Sequence, residues 1–138
     1  NHYNALWRED ERELIPFCRA EGLALVPYSP LGRGFLCGGS PTVRREKDEM
    51  IQRFYPRKED AAIAGAVEAH AKQAGCAPAA VALWWVLSTP GVTATVVGAS
   101  SVEQIEQVIG YLDRPLDRKD MAPVDAAYAF RASKGHGG

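Results

Sequence analysis

The chain has 138 residues, 46% of them apolar and 24% charged, with a formal net charge of -1. That length supports one domain with a buried core and is too short for two comfortable ones, and the composition excludes disordered and collagen-like classes. The near-neutral balance leaves no electrostatic footprint for nucleic acid or an anionic membrane, and the longest apolar run, Ala77 to Leu87, falls far short of the roughly 20 residues of a membrane span.

No secretory signal is visible and the sequence begins at Asn1 rather than a methionine, so a processed, trimmed or partial chain is expected. Cys18, Cys37 and Cys76 form neither a CxxC pair nor an even disulfide set. They read as small buried or incidental thiols in a reducing, cytoplasmic compartment. His2, His70 and His136 are widely separated and show no metal-ligand spacing. They are expected to be structural or surface residues, with no metal site.

In chain order, residues 2–7 form an aromatic run that reads as the end of a strand. Asp10 to Ala20 reads as a helix, with Asp10 as N-cap, acidic residues in its first turn, and Leu14, Ile15, Phe17 and Cys18 on one face. Gly22 sits where a left-handed C-terminal cap is wanted. The short apolar run Leu23 to Val26 reads as a fully buried strand, and strand, helix, glycine and strand make one βαβ crossover, hence a parallel sheet.

That strand empties into Tyr28-Ser29-Pro30-Leu31-Gly32-Arg33-Gly34. Gly38 to Pro56 is polar and irregular, with a mixed charge run at residues 44–49 that reads as a solvated loop or short surface helix. A loop this long is often a lid, which makes Phe54 or Tyr55 candidates to line a cleft. Lys58 to Ala74 reads as a helix carrying Ile63, Val67, His70 and Ala74 on one stripe and ending at Gly75. Pro78 suits the first turn of a nearly apolar helix containing Val81, Leu83, Trp84, Trp85 and Leu87, with the Trp pair read as core packing.

Thr89-Pro90-Gly91 breaks that helix, and Val92 to Val97 reads as a second buried, β-branched strand. It runs into Gly98-Ala99-Ser100-Ser101 and a helix from Val102 to about Tyr111. Ser100-x-x-Glu103 and Ser101-x-x-Gln104 both match a capping box. Leu116 to Phe130 reads as a final surface helix disturbed by Asp120 and Pro123, and residues 131–138 as a frayed tail.

Two strand-to-loop transitions therefore carry small polar residues and glycine. In a parallel sheet both lie at the same edge and can converge on one ligand. Arg33 can pair with a pyrophosphate, Gly32 and Gly34 allow close backbone approach, and Tyr28 offers a flat face to a heterocyclic ring. The free N–H groups and positive dipole end of the helix at Val102 suit a phosphate. Either motif alone reads first as a glycine turn or a capped helix with no ligand; the pair together favours a phosphate-bearing ligand.

The segments Tyr3-Asn4, Arg8 to Glu13, Val26 to Gly34 and Gly98 to Ile105 resemble, in order and spacing, the C-terminal half of an aldo-keto reductase. The resemblance covers residue 1 to about 128, and Tyr28-Ser29-Pro30-Leu31-Gly32-Arg33-Gly34 is its most specific part. It implies an α/β fold, the C-terminal part of a (β/α)8 TIM barrel, with NADP(H) at the carboxyl face and carbonyl reduction by hydride transfer. Position by position, Tyr28 matches the aromatic stacked on the nicotinamide. Ser29, Leu31, Gly32 and Arg33 match the pyrophosphate loop. Gly98, Ala99, Ser100, Ser101 and Gln104 match the loop and helix start that hold the adenosine 2′-phosphate.

The resemblance also implies that the family's catalytic Tyr, Lys, Asp and His lie in the N-terminal half, so no catalytic residue is assigned in this chain. Ser100 and Ser101 stand where a cation is usual, and Val108 where an asparagine is expected, which leaves NAD as an alternative cofactor. The motifs account for about two and a half strand–helix units, against eight strands and about 250 residues in a closed barrel. One partial domain, 1–138, is therefore expected. It would expose edge strands and an apolar face and be inactive by itself. In a full-length protein its partners would be the nicotinamide cofactor and a small carbonyl substrate. The alternatives are a non-catalytic cofactor-binding or regulatory module, or a non-functional truncated product.

Overall fold

The computed structural model describes residues 1–39 and 48–130. Its elements in order are a 3-10 turn at Glu9–Glu11, α1 (Leu14–Ala20), a 3-10 turn at Gly32–Gly34, α2 (Glu49–Phe54), α3 (Lys58–Ala74), α4 (Pro78–Leu87), α5 (Val102–Leu112), a 3-10 turn at Arg118–Met121 and α6 (Ala122–Ala126). The expected frayed tail and most of the charge run lie outside the described residues.

Three short extended segments pair in parallel, as the crossover pattern requires. His2 pairs with Tyr28 and Tyr28 with Val96, so the segment around residues 25–28 lies in the middle. Tyr28 N–H donates to Asn1 O (2.8 Å), Thr93 N–H to Leu25 O (2.9 Å) and Val96 N–H to Pro27 O (2.8 Å). A second row joins Leu25 to Val92. Three steps separate the two rows on the middle segment and four on the third, so the third segment holds one extra residue, as in a bulge. Threonine hydroxyls repair the mismatch: Thr93 Oγ1 accepts from Leu25 N–H (3.3 Å) and Thr95 Oγ1 donates to Pro27 O (2.9 Å).

The two apolar runs are not fully buried. Leu25 is 7% exposed, but Leu23 and Val26 are 52% and 45% exposed and Val96 is 54% exposed. Successive strand residues point to opposite faces, and among the described residues helices cover only one of them. Leu25 enters the core with Ile15, Cys18, Ile63, Val67, Val81, Trp85 and Val86. Val26, Tyr28 and Val96 stand on the other face.

α1 starts later than expected, at Leu14, and Asp10 does not cap it. Pro16 explains this: a proline ring clashes with the carbonyl four residues earlier, here that of Arg12, so no helix passes smoothly from Asp10 through Pro16. Phe17 is exposed rather than on the buried face. The end of α1 matches expectation. Gly22 has φ +63 and Leu23 N–H donates to Cys18 O (2.8 Å), the Schellman closure of a helix.

α3 and α4 form the main helical pair, and Ile63, Val67, Val81, Trp85 and Val86 are their large contributions to the core. The Asp60 carboxylate caps α3 by accepting from Arg57 N–H (2.9 Å), and Gly75, at φ +64, ends it. The expected single helix from Leu116 to Phe130 is instead the Arg118–Met121 turn followed by α6, because Pro123 cannot continue a preceding helix. Nor is it only a surface element: Met121 and Val124 are fully buried.

A polar clamp ties the two ends of the described chain together around Trp85. Arg8 pairs bidentately with Glu11 (2.8 and 2.9 Å) and also with Asp125 (3.0 Å). Arg118 binds Asp125 through two nitrogens (2.8 and 3.0 Å) and donates to Trp85 O (2.9 Å) and Thr89 Oγ1 (2.7 Å). Trp85 lies between the two guanidinium groups, 5.1 Å from that of Arg8 and 4.1 Å from that of Arg118, and its indole N–H donates to Asp125 Oδ1 (3.0 Å). Trp85 is thus a core residue, as the sequence indicates. Trp84 is half-buried and donates to Tyr111 O (2.8 Å).

Candidate functional site

The loop after the middle segment and the loop after the third meet at one cleft of about 740 Å³. Of the residues expected there, Tyr28, Ser29, Leu31, Arg33, Gly98, Ala99, Ser100 and Gln104 line it. Gly32 and Ser101 do not. Gly32 is buried at φ +56, and a Cβ on it would stand 3.0 Å from Leu6 Cδ1, so its close approach is to the core rather than to the cleft. Ser101 instead caps α5, accepting Gln104 N–H on its hydroxyl (3.3 Å).

The first loop is held in an uncommon conformation. Ser29 and Arg33 have φ of +60 and +55, and Gly32 and Gly34 flank Arg33 with φ of +56 and +89. Non-glycine residues in this region persist only where their surroundings fix them, and they concentrate at ligand sites. The fixing group here is the fully buried Asn4, which donates to Ser29 O (2.8 Å) while its own carbonyl oxygen accepts Leu6 and Trp7 N–H.

Tyr28 stands at one end of the cleft, half exposed. One ring face lies near His2 (5.5 Å between centroids, 12° apart), and His2 in turn stacks on Trp7 (5.3 Å, 16°). His2 Nε2 lies 2.7 Å from Tyr55 Oη, and Asn4 donates to the same hydroxyl (3.1 Å). His2 is therefore structural, as expected. Tyr55 and Phe54 belong to this aromatic packing and not to the cleft wall, which corrects their candidacy as lining residues. A short, mostly exposed helix, Glu49–Phe54, places them there, the surface-helix alternative that the sequence offers.

Arg33 projects its guanidinium at the cleft, where Nε and Nη2 both reach Asp48 Oδ2 (3.0 and 2.9 Å). The other oxygen of Asp48 caps α2 through Met50 and Ile51 N–H. This hydrogen bond from Arg33, outweighing partial desolvation, holds the Asp48 carboxyl below the usual carboxylate range. Asp48 was not singled out by sequence; its only signal is an Asp before the first apolar-periodic residue of a short helix.

At the other end of the cleft, α5 begins. Ser101 is the N-cap, and Gln104 Oε1 reaches back one residue further, accepting both the backbone N–H (2.9 Å) and the hydroxyl (3.1 Å) of Ser100. The Glu103 carboxyl is held below its ordinary range by its own backbone N–H and by the Ser101 hydroxyl. Further along α5, Gln107, Val108 and Tyr111 line the cleft, facing Cys37 and Gly38. Arg33 is the one cationic side chain in the described lining. Among the described residues no cluster of His, Cys, Asp and Glu could hold a metal ion, and no helix is long and apolar enough to cross a membrane.

With this geometry in view, comparison with known proteins is decisive. The profile of the Aldo/keto reductase family matches residues 1–129. The chain belongs to that family. It is similar to a probable aldo-keto reductase 1 of Glycine max, 34% identical over 127 residues, covering 87% of this chain and 36% of that protein. It is also similar to a versiconal hemiacetal acetate reductase of Aspergillus parasiticus, 30% identical over 138 residues, covering 96% and 40%. Among solved structures it superposes on a glycerol dehydrogenase from Gluconobacter oxydans with a TM-score of 0.68 at 21% identity, covering 91% of this chain and 40% of that one. A thermostable aldo-keto reductase crystallised with the inhibitor epalrestat gives 0.64 at 26% identity, covering 92% and 38%.

The chain therefore spans about two fifths of the length of these relatives. Its fold is part of a (β/α)8 barrel, and the parallel segments and their helices are units of that barrel. The family's oxidoreductases use nicotinamide cofactors and carbonyl substrates.

Proposed function

We propose that the cleft is the cofactor site of an NADP(H)-dependent aldo/keto reductase, and that this chain supplies the cofactor-binding portion of the enzyme. The observation that carries the reading is the convergence of two loops on one cleft, with the Tyr28 ring at one end and the capped start of α5 at the other. The residues fit an extended dinucleotide. Tyr28 presents a half-exposed ring to a nicotinamide, Arg33 brings a guanidinium to a pyrophosphate, and the first turn of α5 offers backbone N–H groups to a terminal phosphate.

When bound, the nicotinamide supplies the hydride exchanged with a carbonyl carbon. The residues of this chain bind and orient. Tyr28 fixes the ring plane, backed by His2, while Asn4 keeps the strained Ser29–Gly34 loop in place. Arg33 exchanges its carboxylate partner, Asp48, for a phosphate. The proton that completes carbonyl reduction is not assigned to any residue of this chain, and the carbonyl substrate is set by residues outside it. Three cysteines without disulfides suit a cytoplasmic setting.

NAD(H) is a second reading of the same site, favoured by one observation. Serine and glutamine surround the α5 end of the cleft where a 2′-phosphate would sit, and the one cationic side chain of the described lining, Arg33, belongs to the other loop. Amide NMR of the chain separates these readings with two half-ligands at millimolar concentration. Reduced nicotinamide mononucleotide is expected to shift Tyr28 to Gly34, and 2′,5′-ADP to shift Gly98 to Gln104. Equal responses to 5′-AMP and 2′,5′-ADP would favour NAD(H). Shifts confined to other parts of the chain would overturn the cofactor assignment.

A further inference from the structure

Asn4, Tyr55 and His2 form a chain of hydrogen bonds whose direction is fixed at one end. Asn4 Oδ1 accepts Leu6 and Trp7 N–H (2.9 and 3.0 Å), which sets the orientation of the amide. Its nitrogen then faces Ser29 O (2.8 Å), Tyr55 Oη (3.1 Å) and His2 Nε2 (3.3 Å). An amide nitrogen only donates. Tyr55 Oη therefore accepts from Asn4, and its own proton is left for His2 Nε2, 2.7 Å away. Both groups aimed at Nε2 are donors, so the imidazole is neutral and carries its proton on Nδ1.

The stack of rings does not depend on that choice. His2 lies between the faces of Trp7 and Tyr28, with Phe54 and Tyr55 edge-on. A cation is tolerated between two π faces, so a second proton leaves the stack in place and acts on the hydrogen bonds. It turns Nε2 from acceptor into donor, against the Asn4 amide and the Tyr55 hydroxyl. Asn4 and Tyr55 are both buried, where mismatched polar groups are costly. Asn4 is also the group that holds Ser29 at φ +60.

The titratable groups facing the His2 ring are the phenols of Tyr28, from the middle segment, and Tyr55, at the end of α2. On its own segment, Asn1 holds the Asp10 carboxylate (3.2 Å), and Arg8 is engaged with Glu11 and Asp125. In the loop, the Asp48 carboxyl is held below its ordinary range, so it stays ionised, and paired with Arg33, throughout the pH window of a histidine.

We infer that His2 is a positioning residue for the Ser29–Gly34 loop: as the neutral imidazole it keeps the Asn4 amide, through Tyr55, on Ser29 O, and its protonation loosens that loop. Ser29, Leu31, Arg33 and Gly34 line the cleft, so the state of His2 reaches the cleft without His2 touching a ligand. The inference stands on these hydrogen bonds and not on the cofactor reading. Joined to that reading, it makes capture of a nicotinamide weaken in mild acid.

The test is amide and imidazole NMR of the ligand-free 138-residue chain, titrated from about pH 8 to about pH 5. At the alkaline end the His2 ring should carry its proton on Nδ1. As pH falls, the amides of Ser29, Leu31, Gly32, Arg33 and Gly34 should move along the same curve as His2. H2F keeps an aromatic ring in the stack and should abolish that movement. Y55F should leave His2 titrating while the loop amides lose most of their response. If either variant fails to fold, the two curves of the parent chain still decide. A proton on Nε2 at the alkaline end, loop amides that stay still or follow a different midpoint, or a folded H2F whose loop still titrates would each overturn the inference. Reduced nicotinamide mononucleotide, added at about pH 8, tests the other reading separately. If the loop follows His2 but this ligand shifts no amide from Tyr28 to Gly34, the cofactor assignment fails and the role of His2 stands.

Discussion

The guanidinium of Arg33 and the carboxylate of Asp48 meet at the cleft 2.9 Å apart, and the same carboxylate caps α2 with its other oxygen. One side chain thus links the glycine-rich loop to the helix beyond it, and any anion that takes Arg33 must break that link.

Asp48→Asn separates the two tasks, because asparagine is as good an N-cap and carries no charge. The variant should keep α2 and bind inorganic pyrophosphate several-fold more tightly than the parent, because no carboxylate then competes for the Arg33 guanidinium. Isothermal titration with pyrophosphate checks it; equal affinities would mean that Asp48 does not compete. Since the Asp48 carboxyl is held below its ordinary value, its tie is complete above about pH 4 and is lost as pH falls through the depressed value. Arg33 side-chain NMR should report release only in acid.

Tyr3 is fully buried, donates to Glu11 Oε1 (2.7 Å) and lies 3.2 Å from Thr89 Oγ1. Burial, reinforced by the Glu11 carboxylate, pushes its hydroxyl well above the ordinary tyrosine range. The folded state therefore favours the neutral phenol: its contribution is complete below about pH 10 and disappears as pH rises further. Tyr3→Phe should cost about 1–2 kcal/mol at neutral pH, through the lost bond to Glu11. It should also flatten the alkaline fall in stability. Urea unfolding at several pH values between neutrality and strong alkali measures both.

Arg118 serves Trp85, Thr89 and Asp125 together, so Arg118→Met should destabilise by about 2–4 kcal/mol despite similar volume. Arg118→Lys should recover only part of this, because an ammonium cannot reproduce the fork on Asp125 or lie flat over the indole. Chemical denaturation with Trp fluorescence is the measurement. A lysine variant as stable as the parent would show that charge alone matters.

Gly75 and Gly91 both have positive φ, yet their surroundings differ. A Cβ at Gly75 meets open space, whereas one at Gly91 stands 2.7 Å from Arg19 Cγ and 3.2 Å from Ile15 Cγ2. Gly75→Ala should cost about 1 kcal/mol of backbone strain, and Gly91→Ala roughly 1–2 kcal/mol more from overlap. Thermal melts of the two variants side by side decide it.

How far the sequence reaches depends on whether a signal is local. α3 and α4 are legible because their caps, Gly75 and Pro78, and the stripe Ile63, Val67 and His70 are written within the helices themselves. The same holds for Ser101 at α5. The start of α1 fails locally too, through overlooking what Pro16 does to Arg12. The burial of Leu23 to Val26 and of Val92 to Val97 is not a local property: an apolar run does not say how many faces of a sheet this chain covers. The loops of the cleft are legible as glycine and hydroxyl clusters, but the Arg33–Asp48 pair and the bond from Asn4 to Ser29 join residues far apart in sequence and exist only in the fold.

The clamp around Trp85 has a consequence for how the protein is made. Arg8 N–H donates to the hydroxyl of Tyr128, and its guanidinium reaches Asp125. Residues that leave the ribosome near the beginning of this stretch wait for partners more than a hundred positions later. Until then Arg8 has Glu11 but not Asp125, and Trp85 lacks the carboxylate its indole needs. Such long-range closure slows folding. Nascent chains stalled before residue 118 should remain open to protease and gain resistance in one late step, so that synthesis, rather than helix formation, sets when this part of the barrel becomes solid.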